Sequence, residues 1–253
     1  MQRQHFEEMY GLEDSYWWFV GRRRMVRNLI RRYAPRRESL RVLDAGCGTG
    51  GTLAALEGVG EIWGCDISGE ALEMCRLRGF DRLKQSPIER LDFEDASFDV
   101  VVSCDVLEHV EDDDAGMREI ARVLRPGGIC VLTVPAHQWL WSEHDEALRH
   151  LRRYQHRRLR KVVEGAGLRV EKLTEAVALA LPAIVLYRAL RRLTRGSSDE
   201  PATSLVRLPG PLNRLLIGLL DVENAVIGCC RLPLGASLMA VARKPAEGDK
   251  GAG

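Results

Sequence analysis

The stretch VLDAGCGTGG, residues 42–51, concentrates the chemistry of this sequence. A short apolar run carries Asp44 near its end, and Gly46, Gly48, Gly50 and Gly51 follow before a helix-forming segment begins. Glycines at a strand–helix turn let the backbone approach a ligand closely and present amide N–H groups to its anionic part. Gly46, Gly48 and Gly51 also satisfy G-x-G-x-x-G, the dinucleotide fingerprint, although a glycine triplet is equally the mark of a tight turn with no ligand.

The acids around the loop discriminate between ligands. Asp44 stands two residues before Gly46. A carboxylate there repels a pyrophosphate but attracts a ligand bearing an amino group and a sulfonium, and S-adenosyl-L-methionine has both. Asp66 lies 20 residues after Gly46, at the end of the next apolar run. From a strand's carboxyl end its two oxygens can accept from both hydroxyls of a ribose. Methyl transfer needs a nucleophile held in line with the methyl group, with water excluded and sometimes a base at hand. The candidate catalytic residues are His137, which follows a strand in TVPAH, then His144, with Asp105 beyond the fourth strand.

These residues require an alternation of strands and helices. Strands are expected at 41–45, 61–66, 81–85, 98–105, 129–135, 169–174 and 237–243, with helices between them and a turn at Arg125-Pro-Gly-Gly. Near-continuous apolar runs such as VVVSC and ICVLTV suit parallel strands covered on both faces.

DAGCGTG (44–50), the strand-end Asp66, SFDVVVSCDVLEHV (97–110) and LRPGG before a strand (124–133) together resemble the class I S-adenosylmethionine-dependent methyltransferases, closest to the group that includes quinone-biosynthesis methyltransferases. The resemblance covers about residues 39–174 and the last strand. It implies an α/β, Rossmann-like seven-stranded sheet in the order 3-2-1-4-5-7-6, strand seven antiparallel, with helices on both faces. It implies S-adenosyl-L-methionine as cofactor, with Asp44, Gly46, Cys47, Gly48 and Gly50 at the methionyl part, Asp66 on the ribose, Ile67 on adenine, and Cys104 and Asp105 near the sulfonium. Ser86 and Ile88 fall at the adenine position, where the family usually has an acid after strand three. Asp105, Glu108 and His109 also resemble the metal-binding E-x-x-E-H of small-RNA 2′-O-methyltransferases and some quinone O-methyltransferases. The first position is Asp, LEHV is common in metal-free relatives, and no metal is assigned.

The expected organisation is an N-terminal helical cap over 1–38, a methyltransferase domain over 39–245 with a helical insert at about 175–235, and a disordered tail at 246–253. SYWWFVGRRR (15–24) reads either as a lid with Arg22 or Arg23 facing an anion, or as a packed helix with solvated arginines. The net charge of +1, from 37 basic and 36 acidic residues, hides a central block (42–148) at −14 between segments at +5 (1–41) and +10 (149–195). Arg149, Arg152, Arg153 and Arg157 recur at helix-like spacing and read as a phosphate-binding face or as a solvated one. The insert mixes leucine with arginine, which suits either a cap over the acceptor pocket or contact with an anionic membrane.

Composition, 45% hydrophobic and 29% charged, excludes disordered and collagen-like chains. The seven cysteines contain no C-x-x-C and read as reduced thiols of a cytoplasmic protein. The first residues lack the apolar core of a signal peptide. The longest apolar run, 176–187, is too short to span a bilayer. The expected function is methyl transfer to a small or lipid-linked acceptor, with peripheral contact to an anionic membrane as a partner. An RNA methyltransferase and a non-catalytic, membrane-docked cofactor-binding protein are the alternatives. Nucleic acid is the weaker partner, since the chain has no Asn/Asp-Pro-Pro-Tyr after strand four. A nicotinamide dehydrogenase fails on Asp44 and on Tyr154-x-x-x-Arg158, which lacks the lysine of a short-chain pair.

Overall fold

The computed structural model describes residues 3–194 and 208–246; most of the expected tail lies outside the described residues. Its strands are β1 (Leu40–Ala45), β2 (Gly60–Asp66), β3 (Leu83–Gln85), β4 (Phe98–Cys104), β5 (Leu124–Pro135), β6 (Arg169–Ala176) and β7 (Ser237–Arg243). They form one sheet in the order β3-β2-β1-β4-β5-β7-β6. The first five pair in parallel, and β7 runs antiparallel to both β5 and β6. The sheet, its order and the antiparallel β7 are those expected. The Arg125-Pro-Gly-Gly stretch differs, being drawn into β5 with a register shift against β4 between Phe98 and Val100. A shift of this kind lets a glycine-bearing run join a ladder instead of ending it.

Period-two alternation explains why both faces are covered. Leu43, Val101, Leu132 and Ala240 pack on one side with Met117 and Ile120, which lie on α5 (Asp113–Val123), and with Leu159 and Val163 of α7 (His156–Gly165). Their strand neighbours Val42, Val100, Val131 and Met239 pack on the other side with Met25, Leu29 and Leu220. Those residues belong to α2 (Trp17–Tyr33) and α9 (Gly210–Cys229). Asp112 caps α5 by accepting from Ala115 N at 2.8 Å, and an acidic first turn suits that helix end.

The other α-helices among the described residues are α1 (Arg3–Leu12), α3 (Gly51–Leu56), α4 (Gly69–Leu77), α6 (Glu143–Ala147) and α8 (Leu181–Thr194), which precedes α9 in the connection from β6 to β7. α2 and α9 run side by side in the same direction. Asn213 accepts from Trp17 N, Leu220 lies against Gly21, and Asp221 pairs with Arg24. Glu223 of α9 takes the amides of Val177, Ala178 and Leu179, fixing the turn that leads into α8.

Candidate active site

The carboxyl ends of β1, β2, β4 and β5 converge on one edge of the sheet. After β1 the chain turns through Gly46, Gly48 and Gly50, at φ of +83°, +53° and +90°. At Gly46 space is also decisive, because a Cβ would lie 2.3 Å from Val106 Cγ2. The amides of Gly46 and Cys47 donate to Cys65 O at 2.8 and 2.9 Å, tying the loop to β2.

Asp44 is buried at the foot of this loop, and its Oδ2 has no hydrogen-bond partner. Burial raises its carboxyl to about 7, against the opposing pull of Arg22. A buried acceptor without a donor is costly, and an ammonium group arriving at the loop supplies one. Asp66 accepts from Gly48 N and Ser68 N, both at 2.9 Å, one on each oxygen. Each oxygen keeps a lone pair for a ribose hydroxyl. Ile67, the next residue, leaves its side chain 69% exposed, a bare apolar surface suited to an adenine face. The residues present thus fit S-adenosyl-L-methionine.

Arg22 of α2 pairs with Asp105 just past β4. Asp105 sits at φ +55° and is fixed by Thr133, which donates from Oγ1 at 3.0 Å while its carbonyl accepts from Asp105 N at 2.9 Å. Arg22 keeps its charge despite burial because Asp105, Cys104 and Asp44 surround it. Burial pushes the Cys104 thiol up to about 12, so it is no nucleophile. Arg23 turns elsewhere, toward Asp14 at 3.5 Å. Beside it, the buried Glu13 accepts from Thr49 Oγ1 at 2.5 Å and Gly51 N at 3.1 Å, and pairs with Arg78 at 2.9 Å. This latches the α1–α2 junction onto the glycine loop.

At the other side of the edge His137, at φ +56°, holds Nε2 3.1 Å from the buried Glu175, which also faces His156 Nδ1 at 3.3 Å. The His137 ring stacks on Trp139, centroids 5.9 Å apart, and Trp139 is largely exposed. His144 lies apart from this pair. It neighbours His150 with ring centroids 6.1 Å apart, and burial lowers it to about 4, which makes it a weak base at neutral pH. His150 Nδ1 donates to Asp145 Oδ1, 2.9 Å away, and its ring meets that of His109.

The sequence-predicted residues therefore divide. Asp44, Gly46, Gly48, Gly50, Asp66, Ile67, Cys104 and Asp105 surround one loop and strand edge. Cys47 points into the interior, 3.8 Å from Cys75 Sγ. Ser86 is buried behind Asp66, whose carbonyl its amide meets at 3.1 Å, and Ile88 packs into the core beside Gly116 and Leu107. The helix-like spacing of the arginines is a correction. Residues 149–155 are not helical, Arg149 has φ +56°, and α7 starts only at His156. Arg153 is buried in a two-pronged pair with Asp145 (2.8 and 3.0 Å), and Arg152 donates to Val110 O at 2.6 Å. Internal acids and carbonyls outcompeted an outside anion for these side chains.

Glu13, and His150 as a companion of Glu108 and His109, escaped the sequence reading. Glu13 carried no motif, because its partners lie 36 and 65 residues away. Glu108, His109 and His150 have ligand atoms within 4.8 Å of one another, and both Glu108 oxygens are buried without a partner. Two imidazoles and a carboxylate are a donor set for a borderline divalent cation. Asp105 is not part of this group, being held by Arg22.

A strand-end acid pair around a glycine loop on a sheet of this order defines a class of cofactor-dependent transferases. A methyltransferase domain model matches residues 43–132. The chain is 31% identical over 188 residues to a ubiquinone biosynthesis O-methyltransferase of Idiomarina loihiensis, covering 68% of this chain and 75% of that protein. It is 32% identical over 166 residues to a Mycolicibacterium smegmatis protein named "Probable S-adenosylmethionine-dependent methyltransferase", covering 64% of this chain but 63% of that protein's length. In fold it is similar to the chain solved with a methyltransferase activator from Haloferax volcanii, at a TM-score of 0.61 and 22% identity, over 96% of this chain and 97% of that one. The chain belongs to the class I S-adenosylmethionine-dependent methyltransferases, and its cofactor is S-adenosyl-L-methionine.

Proposed function

We propose that this methyltransferase acts on a hydroxyl of a small or lipid-linked acceptor, with His137 as the base. The carrying observation is the His137–Glu175 pair at the carboxyl end of β5, beside the exposed Trp139. When bound, the cofactor supplies a methyl group on a sulfonium already activated for attack. The chain's own work is to bind, orient, exclude water and hold a proton. Asp44 and the loop amides fix the methionyl part, Asp66 the ribose and Ile67 the adenine. Asp105, clamped by Thr133 and Arg22, walls the side toward the acceptor. His137 Nδ1 takes the proton of the acceptor hydroxyl as its oxygen attacks, and Glu175 at Nε2 stabilises the resulting imidazolium. Trp139 offers an aromatic face to the acceptor. The relative from Idiomarina loihiensis, an O-methyltransferase by name, supports an oxygen acceptor. The internal pairing of Arg152 and Arg153 takes away two of the four arginines on which an RNA-binding face would rest.

The test is acceptor-dependent release of S-adenosylhomocysteine across three sets: catechols and phenols, polyprenylated phenols, and short RNAs. Turnover with a phenol, lost in His137→Gln, supports the reading. Turnover with RNA alone overturns it.

A further inference from the structure

α8 is built inside out. Arg188 reaches inward to Leu140 O, and Arg191 pairs with Glu143 at 2.9 Å. Leu181 is buried and Ile184 packs toward the core of the α2–α9 side. The opposite face carries Val185, Leu186 (62% exposed) and Tyr187, continuing from Leu179 just before the helix. On a helix in contact with water alone, the polar side chains belong outside and the leucines within. α9 does the same. It buries Glu223 and leaves Leu212, Leu215, Val222 and Val226 exposed. The Glu223 carboxylate holds the turn before α8, so both apolar stripes belong to one helical layer. Most of the exposed large apolar side chains among the described residues lie in this connection, and such concentration marks an interaction surface.

Charge selects the partner. No acidic residue occurs from Ala176 through Thr194 to repel an anionic surface, although Arg188 and Arg191 are engaged inward. Around the α9 stripe stand the exposed Arg214 and Arg231, with Arg24 and Arg32 of α2 beside it. Asp221, paired with Arg24, is the acid on this side of α9. A second copy of the chain docking through its own equivalent patch would set arginine against arginine. A surface of anionic headgroups over acyl chains answers both features at once, taking leucines below and arginines at headgroup level. Neither helix crosses the bilayer; among the described residues no helix is long and apolar enough to do so.

We propose that the outer faces of α8 and α9 dock this enzyme flat on an anionic lipid bilayer. α8 lies over residues 138–143 through Arg188 and Arg191, next to Trp139 and His137. Docking therefore brings the acceptor rim to the headgroup layer, where a lipid-linked hydroxyl is presented. The link to catalysis rests on the methyl-transfer reading above; the docking itself does not.

Flotation with phosphatidylcholine vesicles, with and without about 30% phosphatidylglycerol, tests it. The full chain is expected to float with the anionic vesicles at least about tenfold more than with the neutral ones, and to lose that preference in high salt. Leu186→Glu and Leu215→Glu should each cut binding by about tenfold or more, and Arg214→Glu should cut it on anionic vesicles. Binding of S-adenosylhomocysteine, measured by calorimetry on each variant, should stay unchanged, which also shows that the variants are folded. Absence of vesicle binding, or binding untouched by both leucine variants, overturns the proposal. So does a dimer in sedimentation equilibrium that Leu186→Glu dissolves while the vesicles remain bare. If vesicles bind but no acceptor turns over, the acceptor reading fails and the docking stands.

Discussion

The carboxyl ends of β1 and β2 bear Asp44 and Asp66, set around a loop whose backbone is fixed by three glycines at positive φ. The carboxyl ends of β5 and β6 bear His137 and Glu175, beneath a helical connection in which Arg188 reaches in and Leu186 faces out. The first region is acidic and its ligand is the same throughout the family, so every position is dictated by one molecule. The second region has only to present a base and an opening to an acceptor of its own. A shared ligand constrains residue types at fixed spacings. A private one constrains a shape, which many sequences can line. If this division is real, the two regions should be separable by mutation.

The largest effect should come from His137→Gln. With a turning-over acceptor, kcat should fall by about 10²–10⁴-fold while the affinity for S-adenosylhomocysteine stays within twofold. Glu175→Gln should fall less and leave the fall dependent on pH, since the ring remains but its orienting carboxylate is neutral. A parallel loss of cofactor binding would merge the two regions into one.

Asp44→Asn is the mirror experiment. A charge-assisted hydrogen bond in a buried site is worth about 1.5–3 kcal/mol, so calorimetry should show S-adenosylhomocysteine binding weakened by about 10–100-fold. The pH dependence follows from the same residue. Burial lifts the Asp44 carboxyl to about 7 in the free protein, and the ligand's ammonium favours the ionised form. Affinity should therefore increase as pH rises from 6 to 8 in the wild type, by less than tenfold per unit, and be flatter in Asp44→Asn. The linkage to folding has the opposite sense. A carboxyl raised above its unfolded value binds its proton more tightly in the native state, so Asp44 contributes a loss of stability as pH climbs from about 4 to about 7. Asp44→Asn should remove that part of the slope in thermal melts without cofactor.

Arg22 and Arg23, adjacent in sequence, sharpen the boundary between cap and cofactor region. Arg22→Ala leaves Asp105 and Asp44 without their cation and should change S-adenosylhomocysteine affinity by about tenfold. Arg23→Ala loosens the Glu13–Asp14 latch and should act mainly on the melting temperature. No effect on affinity from either removes any role for the cap in holding the cofactor.

How much of this was legible differs between the regions for the same reason. The sheet order and the Asp44–Asp66 frame were readable, because period-two alternation and a loop with acids at fixed offsets are local signals. Glu13 was not, since its meaning depends on Thr49 and Arg78 arriving from distant elements. The arginines at 149–157 misled because helical spacing was inferred from charge alone, without an apolar stripe beneath it. Arg153 in fact spends its fork on Asp145 and Ala136 O. α8 was readable in composition, leucine with arginine, but the direction each type faces depends on Leu140 and Glu143 lying beneath the helix.

The smallest effect concerns the ground between the two regions, where Glu108, His109 and His150 meet. Glu108 is wholly buried, neither of its oxygens has a partner, and burial holds its carboxyl well above the ordinary range. His109 is lowered to about 4 by burial and by His150. Glu108 and His109, which both resist their charged form, can coexist with His150 as a packed cluster, or the three can share a divalent cation that satisfies Glu108 and both rings at once. A cation bound only by the native state raises the melting temperature with concentration. Titrating Zn²⁺ or Mn²⁺ into EDTA-treated protein should raise it by a few degrees, with the rise abolished in Glu108→Gln and His150→Ala. Affinity for S-adenosylhomocysteine should not follow it, because Asp105, which faces the cofactor side, is held by Arg22 and not by this cluster. A melting curve indifferent to metal and chelator would leave Glu108 as a protonated acid among packed rings, and would place the boundary of the acceptor region at His137.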